Sequence, residues 1–229
     1  MTALDSLGLT RLLQLASPTL PVGAYSYSQG LEFAVESALV SDERSAASWI
    51  HDVLRFSVGS FEAPLASRMS GALADDDYAG FARWNALFRS GRETAELRAE
   101  TLQMGHALNM LLPDLPLSNS ADLEWLRSIG ALTFPAAFSF AAHGMGVDRD
   151  AALVAYLWSW LENQVMAALK SVPLGQSAGQ RILAGIGAQL PEVARCASEM
   201  ADDELSNFAP GLAISSCRHE TQYSRLFRS

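Results

Sequence analysis

The stretch DRDAALVAYLWSWLENQVMAALKSVP, residues 148 to 173, decides the fold. Leu153, Leu157, Leu161, Val165 and Leu169 recur at helical spacing, and the remaining apolar residues fall on more than one face. Asp148 is placed to cap such a helix and Pro173 to stop it. Lys170 in the last turn reads first as a cap that suits the carbonyl end of the helix dipole, with a functional polar role beside Pro173 as the lesser alternative. A helix that is apolar on several faces needs other elements all round it, so the spacing predicts a central, enclosed helix.

The flanking sequence supplies those elements. Trp49, Ile50, Val53, Leu54, Ser57, Val58 and Phe61 form one helical stripe that Ser41 or Asp42 can cap. Tyr78, Phe81, Ala82 and Phe88 form another after the acidic turn Asp75, Asp76, Asp77. Ser90 and Gly91 break the chain before a helix expected from Arg92 to about Leu112, which Pro113 and Pro116 stop. Shorter helices are expected near Ala121 to Ile129 and from Pro135; Ser177 can cap one carrying Ile182, Leu183 and Ile186, and Pro191 opens another. The uncharged run from Gly130 to Val147 is interrupted by Pro135, His143, Gly144 and Gly146, which suits a buried core helix better than a membrane span. No segment alternates apolar and polar residues long enough for a strand. The expectation is an all-α, single-domain helical bundle of about nine or ten helices around the central buried helix. It occupies residues 1 to 209, and where the periodicity fades an irregular C-terminal tail runs from 210 to 229.

Charge narrows the function. The formal net charge is -9, and of 16 basic residues all but Lys170 are arginine. An acidic chain is a poor match to nucleic acid, whose binding rests on neutralised phosphates. Two cysteines make no disulfide framework and the N-terminal residues do not read as a secretory signal, so the cytoplasm is the expected compartment.

Three chemistries can be weighed residue by residue. Gly175, Gln176, Ser177, Ala178 and Gly179 fit the G-x-S-x-G elbow of α/β-hydrolases, with His219 available as the base. The elbow requires a preceding strand, whereas Ala167 to Lys170 read as a helix end, so the hydrolase stands only as the alternative. Cys217 and His219 form a Cys-x-His pair that could contribute to a metal site, but a full site needs more ligands. A P-loop needs Gly-Lys-Ser/Thr, and the only lysine, Lys170, follows Ala168 and Leu169.

The segment LASPTLPVGAYSYSQGLE, residues 15 to 32, is either a helix connection with capping hydroxyls or a recognition surface built on Tyr25, Ser26, Tyr27 and Ser28. Ser28 can cap a helix starting at Gln29. In the tail, Arg218, Arg225 and Arg228 stand against a single Glu220, a locally basic segment suited to carboxylates. Its few apolar residues do not offset the cost of ordering it, so it is expected to be mobile until a partner binds.

Four blocks together resemble the UreF family of urease accessory proteins. They are LASPTLPVGAYSYSQGLE (15 to 32), GRETAELRAETLQMG (91 to 105), NQVMAALKSVPLGQSAGQRIL (163 to 183) and PGLAISSCRHETQYSRLFRS (210 to 229). PLGQxxGQ and the HExQYSRLFRS ending are the most specific. The resemblance implies a helical, non-catalytic assembly factor that tends to dimerise. It would bridge UreD (also called UreH) and the GTPase UreG, with an influence on that GTPase, in the complex that delivers nickel to apo-urease. It further implies no firmly bound cofactor, nickel being handled by the complex, and neither nucleic acid nor membrane as partner. By matching positions, the partner-binding residues would be Tyr25, Ser26, Ser28, Gln29 and Glu32, then Lys170, Gln176 and Gln180, then His219, Glu220, Tyr223, Arg225 and Arg228; the recognition surface adds Tyr27 and the basic tail adds Arg218. Metal ligation would have only Cys217 and His219 as weak candidates.

Overall fold

The computed structural model describes residues 5–117 and 122–229. Its α-helices are α1 (Ser6–Ala16), α2 (Leu31–Glu36), α3 (Glu43–Val53), α4 (Ala63–Ala74), α5 (Tyr78–Gly91) and α6 (Ala95–Leu111), then α7 (Asp122–Ser128), α8 (Phe134–Gly144), α9 (Arg149–Ser171), α10 (Gln176–Gly187), α11 (Leu190–Glu199) and α12 (Pro210–His219). Ten of these have ten or more residues, and among the described residues there is no strand. The all-α class and the helix count are as expected. The expected start of α7 at Ala121 lies outside the described residues. No helix among the described residues is long and apolar enough to cross a membrane.

Local chemistry accounts for most boundaries. Asp42 Oδ1 accepts from the Ser45 amide while Ser45 Oγ accepts from the Asp42 amide, a reciprocal cap that starts α3. Asp77, Thr94 and Asp148 cap α5, α6 and α9 through one side-chain bond each. Two expected caps are displaced. α10 begins with Gly175 at the cap position and Ser177 inside the first turn. α2 begins at Leu31, because Gln29 and Gly30 both adopt left-handed backbone (φ 54° and 76°) and hold the chain out of the helix until then. Ser28 Oγ still reaches forward to accept from the Glu32 amide at 3.3 Å.

α9 is the central helix. Its Ala152, Ala155 and Tyr156 belong to one apolar core with Leu65, Met69, Phe81, Phe88, Leu108 and Ala141. Its Leu153, Leu157, Leu161 and Val165 belong to a second with Ile50, Leu54, Val58, Ile182 and Leu190. Two cores on opposite sides of one helix are the structural reason for its many apolar faces.

Two departures matter for the site. The stripe from Trp49 to Phe61 is not one α-helix: from Leu54 to Glu62 the chain winds as a π-helix before α4 continues the rod. Gly59 suits this wider turn, since a Cβ there would stand 2.8 Å from the Leu54 carbonyl oxygen and 3.0 Å from Val193 of α11. Residues 210–219, expected to be irregular, form α12. Its buried residues are Leu212, Ser215, Ser216 and His219, a helical i, i+3, i+4, i+7 set in which three of four are polar. The helix is amphipathic by burial and not by hydrophobicity, which hides it from an apolar periodicity. The ten residues after it are irregular, as expected, but Phe227 and Ser229 are buried against the body.

Candidate functional site

The four blocks, far apart in sequence, meet where the tail crosses α2 and α6. Glu32 is the hub, buried at the first turn of α2. Its Oε1 accepts from the Leu226 amide at 2.6 Å and its Oε2 from the Phe227 amide at 3.0 Å. The His219 ring, 0% exposed, lies between Glu32 (Nε2 to Oε2, 3.0 Å) and Glu96 of α6 (Nδ1 to Oε2, 2.7 Å). Both ring nitrogens therefore have a carboxylate oxygen within hydrogen-bond distance, which fixes the orientation of the ring. Arg225 Nη1 donates to the other Glu96 oxygen at 2.9 Å. Charge-assisted bonds of this kind are about twice as strong as neutral ones.

The last residues close the strap. The carbonyl oxygen of Ser229 accepts from the Ser28 amide (2.6 Å), the Gln29 amide (3.1 Å) and Ser28 Oγ (2.6 Å), and the Arg228 amide donates to the Ser26 carbonyl at 2.8 Å. The left-handed Gln29 and Gly30 turn these two amides toward the strap, and a Cβ on Gly30 would meet the Ser216 amide nitrogen at 3.0 Å. Left-handed backbone at a residue with a side chain is costly and persists only where its surroundings dictate it. Here they do: Gln29 Nε2 donates to Glu100 and its Oε1 accepts from Trp160 Nε1, both at 2.8 Å.

Beneath the strap lies a second polar layer. Glu100 of α6 accepts from Gln29 and, through Oε2, from Ser229 Oγ at 3.1 Å. Arg92, in the connection before α6, pairs through Nη1 with Glu62, the last residue of the π-helix. Tyr156 of α9 donates to the second Glu62 oxygen at 3.2 Å. Arg92, Glu62 and Glu100 are all at most 5% exposed. Burial pushes the Tyr156 hydroxyl well above its usual range, with the Glu62 charge adding to it. Burial likewise pushes the Glu100 carboxyl from 4.5 to about 7, with Arg92 and Gln29 opposing and Glu62 reinforcing the rise.

That rise makes a pH prediction. A carboxyl whose folded-state pKa is raised contributes stability that is fully present below its unfolded value and lost as pH rises through the folded one. From 4.5 to about 7 the loss amounts to about 3 kcal/mol. Glu100→Gln keeps the acceptor for Gln29 and removes the ionisation, so its unfolding free energy should hold up from pH 5 to 8 where the wild type declines. Urea titrations across that range test it; parallel curves for the two proteins would rule out Glu100 as the titrating group.

The expected site residues divide into an inner and an outer set. Tyr27, Ser28, Gln29, Glu32 and His219 are buried, so in this conformation they shape the site from within and do not present themselves to a partner. Tyr27 is a core residue whose hydroxyl donates to Gln103. Tyr25, Lys170, Gln176, Gln180, Arg218, Glu220, Tyr223, Arg225 and Arg228 are exposed, with Ser26 half-buried. Lys170 Nζ sits 6.0 Å from the Tyr25 ring centre and 5.5 Å from that of Phe227, tying the third block to the first and fourth. Gln176 and Gln180 ride on α10, which packs on α9 and α3, and take no part in these hydrogen bonds.

The alternative chemistries lose their setting. α9 is helical to Ser171 and no strand leads into Gly175, so Ser177 is not on an elbow, and both ring nitrogens of His219 are committed to glutamates. Cys217 faces solvent while His219 faces the interior, so the pair does not converge. Among the described residues no group of three or more His, Cys, Asp or Glu is placed to hold a metal ion. Not foreseen from sequence were Arg92, Glu96 and Glu100; Glu96 and Glu100 stand four residues apart and share one face of α6, whereas Arg92 lies in the connection before it.

Comparison with known proteins gives a concordant answer. The UreF family model matches residues 40–187. A protein of Azoarcus sp. (strain BH72) named urease accessory protein UreF is 57% identical over 226 residues, covering 97% of this chain and 96% of the relative. Its namesakes from Dechloromonas aromatica (strain RCB) and Methylobacillus flagellatus are 52% and 50% identical over 224 residues, and this chain covers 98% and 99% of them.

Proposed function

The chain belongs to the UreF family, and from that premise we propose that it is a urease accessory protein that serves urease maturation by assembling partners rather than by catalysis. The partners are UreD/UreH and the GTPase UreG, held in register so that nickel reaches apo-urease in the cytoplasm. The GTPase's turnover would be tuned from the same surface, and a second copy of the chain would complete the assembly. The observation that carries this reading is the convergence of the blocks: Tyr25, Lys170, Tyr223, Arg225 and Arg228 stand outward around a strap that Glu32 and Glu96 fix from below.

Tyr223 is fully exposed and Tyr25 is 66% exposed, large aromatic surfaces left open to solvent. Truncating an interface anchor costs about 2 kcal/mol or more, roughly a thirty-fold loss in affinity. Tyr25→Ala and Tyr223→Ala should therefore weaken capture of purified UreG or UreD/UreH by about that factor while the melting temperature stays put. Undiminished capture by both variants would rule out this surface as the docking face.

A further inference from the structure

A recess opens between the first block and α9, with Leu20, Val22 and Met104 among its apolar walls and Tyr25, Phe134 and Trp160 among its aromatic ones. Its free volume is about 120 Å³. An engineered cavity of about 150 Å³ takes up benzene, so this one has room for about five heavy atoms. Its floor is polar: Glu62, Arg92, Glu100 and Tyr156 line it, and each oxygen of Glu62 and of Glu100 already has a donor. Glu162 of α9 is different. Ser159, Glu162, Asn163 and Met166 all line the recess, an i, i+3, i+4, i+7 set that turns one face of α9 toward it. Glu162 is partly exposed and has no hydrogen-bond or ion-pair partner among the described residues. Burial alone pushes its carboxyl pKa upward, with neither a cation nor a donor to oppose the rise.

The charge balance narrows the class of ligand. Among the described residues of the lining three are acids, Glu62, Glu100 and Glu162, and one, Arg92, is basic and matched by Glu62. Lys170, about two turns beyond Glu162 on α9, lies against the rings of Tyr25 and Phe227 and is not part of the lining. An anion would enter against the two remaining acids, and a neutral guest would leave Glu162 uncompensated. A cation is attracted by both, more strongly than in water because the walls are of low dielectric. The carboxylates do not converge as a metal site requires. The walls favour instead a cation with a hydrocarbon body, because aromatic rings attract organic cations and methylenes gain from burial. We propose that this recess binds an amphipathic organic cation, an alkylammonium or alkylguanidinium, whose head pairs with Glu162 and whose chain lies against the apolar walls. That chemistry is common to a free amine and to a lysine or arginine side chain presented by a partner, and only the second source rests on the assembly role.

The experiment compares three probes of similar size, butylammonium, 1-butanol and butyrate, titrated at millimolar concentration into the full chain and followed by calorimetry and by the tryptophan fluorescence to which Trp160 contributes. Butylammonium should bind saturably, with the alcohol and the anion at least about tenfold weaker. Glu162→Gln keeps the shape of the side chain, removes its charge and breaks no hydrogen bond, so it should weaken butylammonium by about tenfold or more with the circular dichroism spectrum unchanged. Glu162→Asp, which restores the charge, should recover part of that loss. Capture of purified UreG and of UreD/UreH by Glu162→Gln then assigns the source: capture lost together with amine binding identifies a partner's basic side chain, and capture retained identifies a free amine. Tyr223→Ala, outside the recess, reports on the docking face by itself, so a failure of the assembly role is told apart from a failure here. Equal binding of all three probes, no saturable butylammonium binding, or binding indifferent to Glu162→Gln would each overturn the proposal.

Discussion

Arg92→Ala is expected to destabilise the protein by about 3 to 5 kcal/mol, the usual result of removing one partner of a buried ion pair. Arg92 is 3% exposed and is the cation between Glu62 and Glu100, so its loss strands negative charge in the interior. In a domain of this size each kcal/mol moves the melting temperature by about 2 to 4 °C, so the shift should be on the order of 6 to 20 °C. Thermal unfolding of the variant measures it directly. The double variant Glu62→Met/Arg92→Met removes the pair as a unit and should recover much of the loss, because two desolvated charges barely repay their own burial. A single variant within about 1 kcal/mol of wild type would mean that water reaches the floor freely.

Glu32→Ala carries the second large effect, and here it is local. Three groups lose their acceptor together: the amides of Leu226 and Phe227 and the His219 ring. Hydrogen bonds to a charged group contribute about 1.5 to 3 kcal/mol each, enough in sum to unseat a strap that has few apolar contacts of its own. Amide hydrogen exchange of the segment 220 to 229 should accelerate toward the rate of an unstructured peptide, while the helices of the two cores keep their protection. Capture of UreG should fall with it. Unchanged protection in that segment would show that Phe227 alone holds the strap, and would remove Glu32 from the site.

The parts of the fold that rest on apolar periodicity and on side-chain caps were legible in the sequence. α9 could be drawn from Asp148 to Pro173, and Asp42 and Asp148 cap where their position suggested. What periodicity does not carry was not legible. The π turn preserves apolar spacing locally while shifting everything after it, so Trp49 to Phe61 read as one helix. α12 buries Ser215, Ser216 and His219, residues that a hydrophobic pattern counts as surface. Apolar area alone also undercounts what the tail can form, because the bonds of Glu32, Ser28 and Gln29 to the strap are polar and distant in sequence. The blocks could be read from the sequence, but the inward direction of Glu32 and His219 depends on partners at sequence separations such as 187 and 195, which no local pattern reveals.

The bond between Ser28 and Ser229 spans 201 residues of chain. A loop of that length closes at an entropic cost that grows with its logarithm, and little is gained until both ends have a surface to meet on. Formation of the strap is therefore expected late in folding, after α2, α6 and α9 have come together. Mutations in it should speed unfolding while leaving the folding rate nearly unchanged, the behaviour of contacts absent from the transition state. A chain caught before this step would have both helical cores and none of the outward-facing tail, so the time taken to become competent for assembly should exceed the time taken to acquire helix.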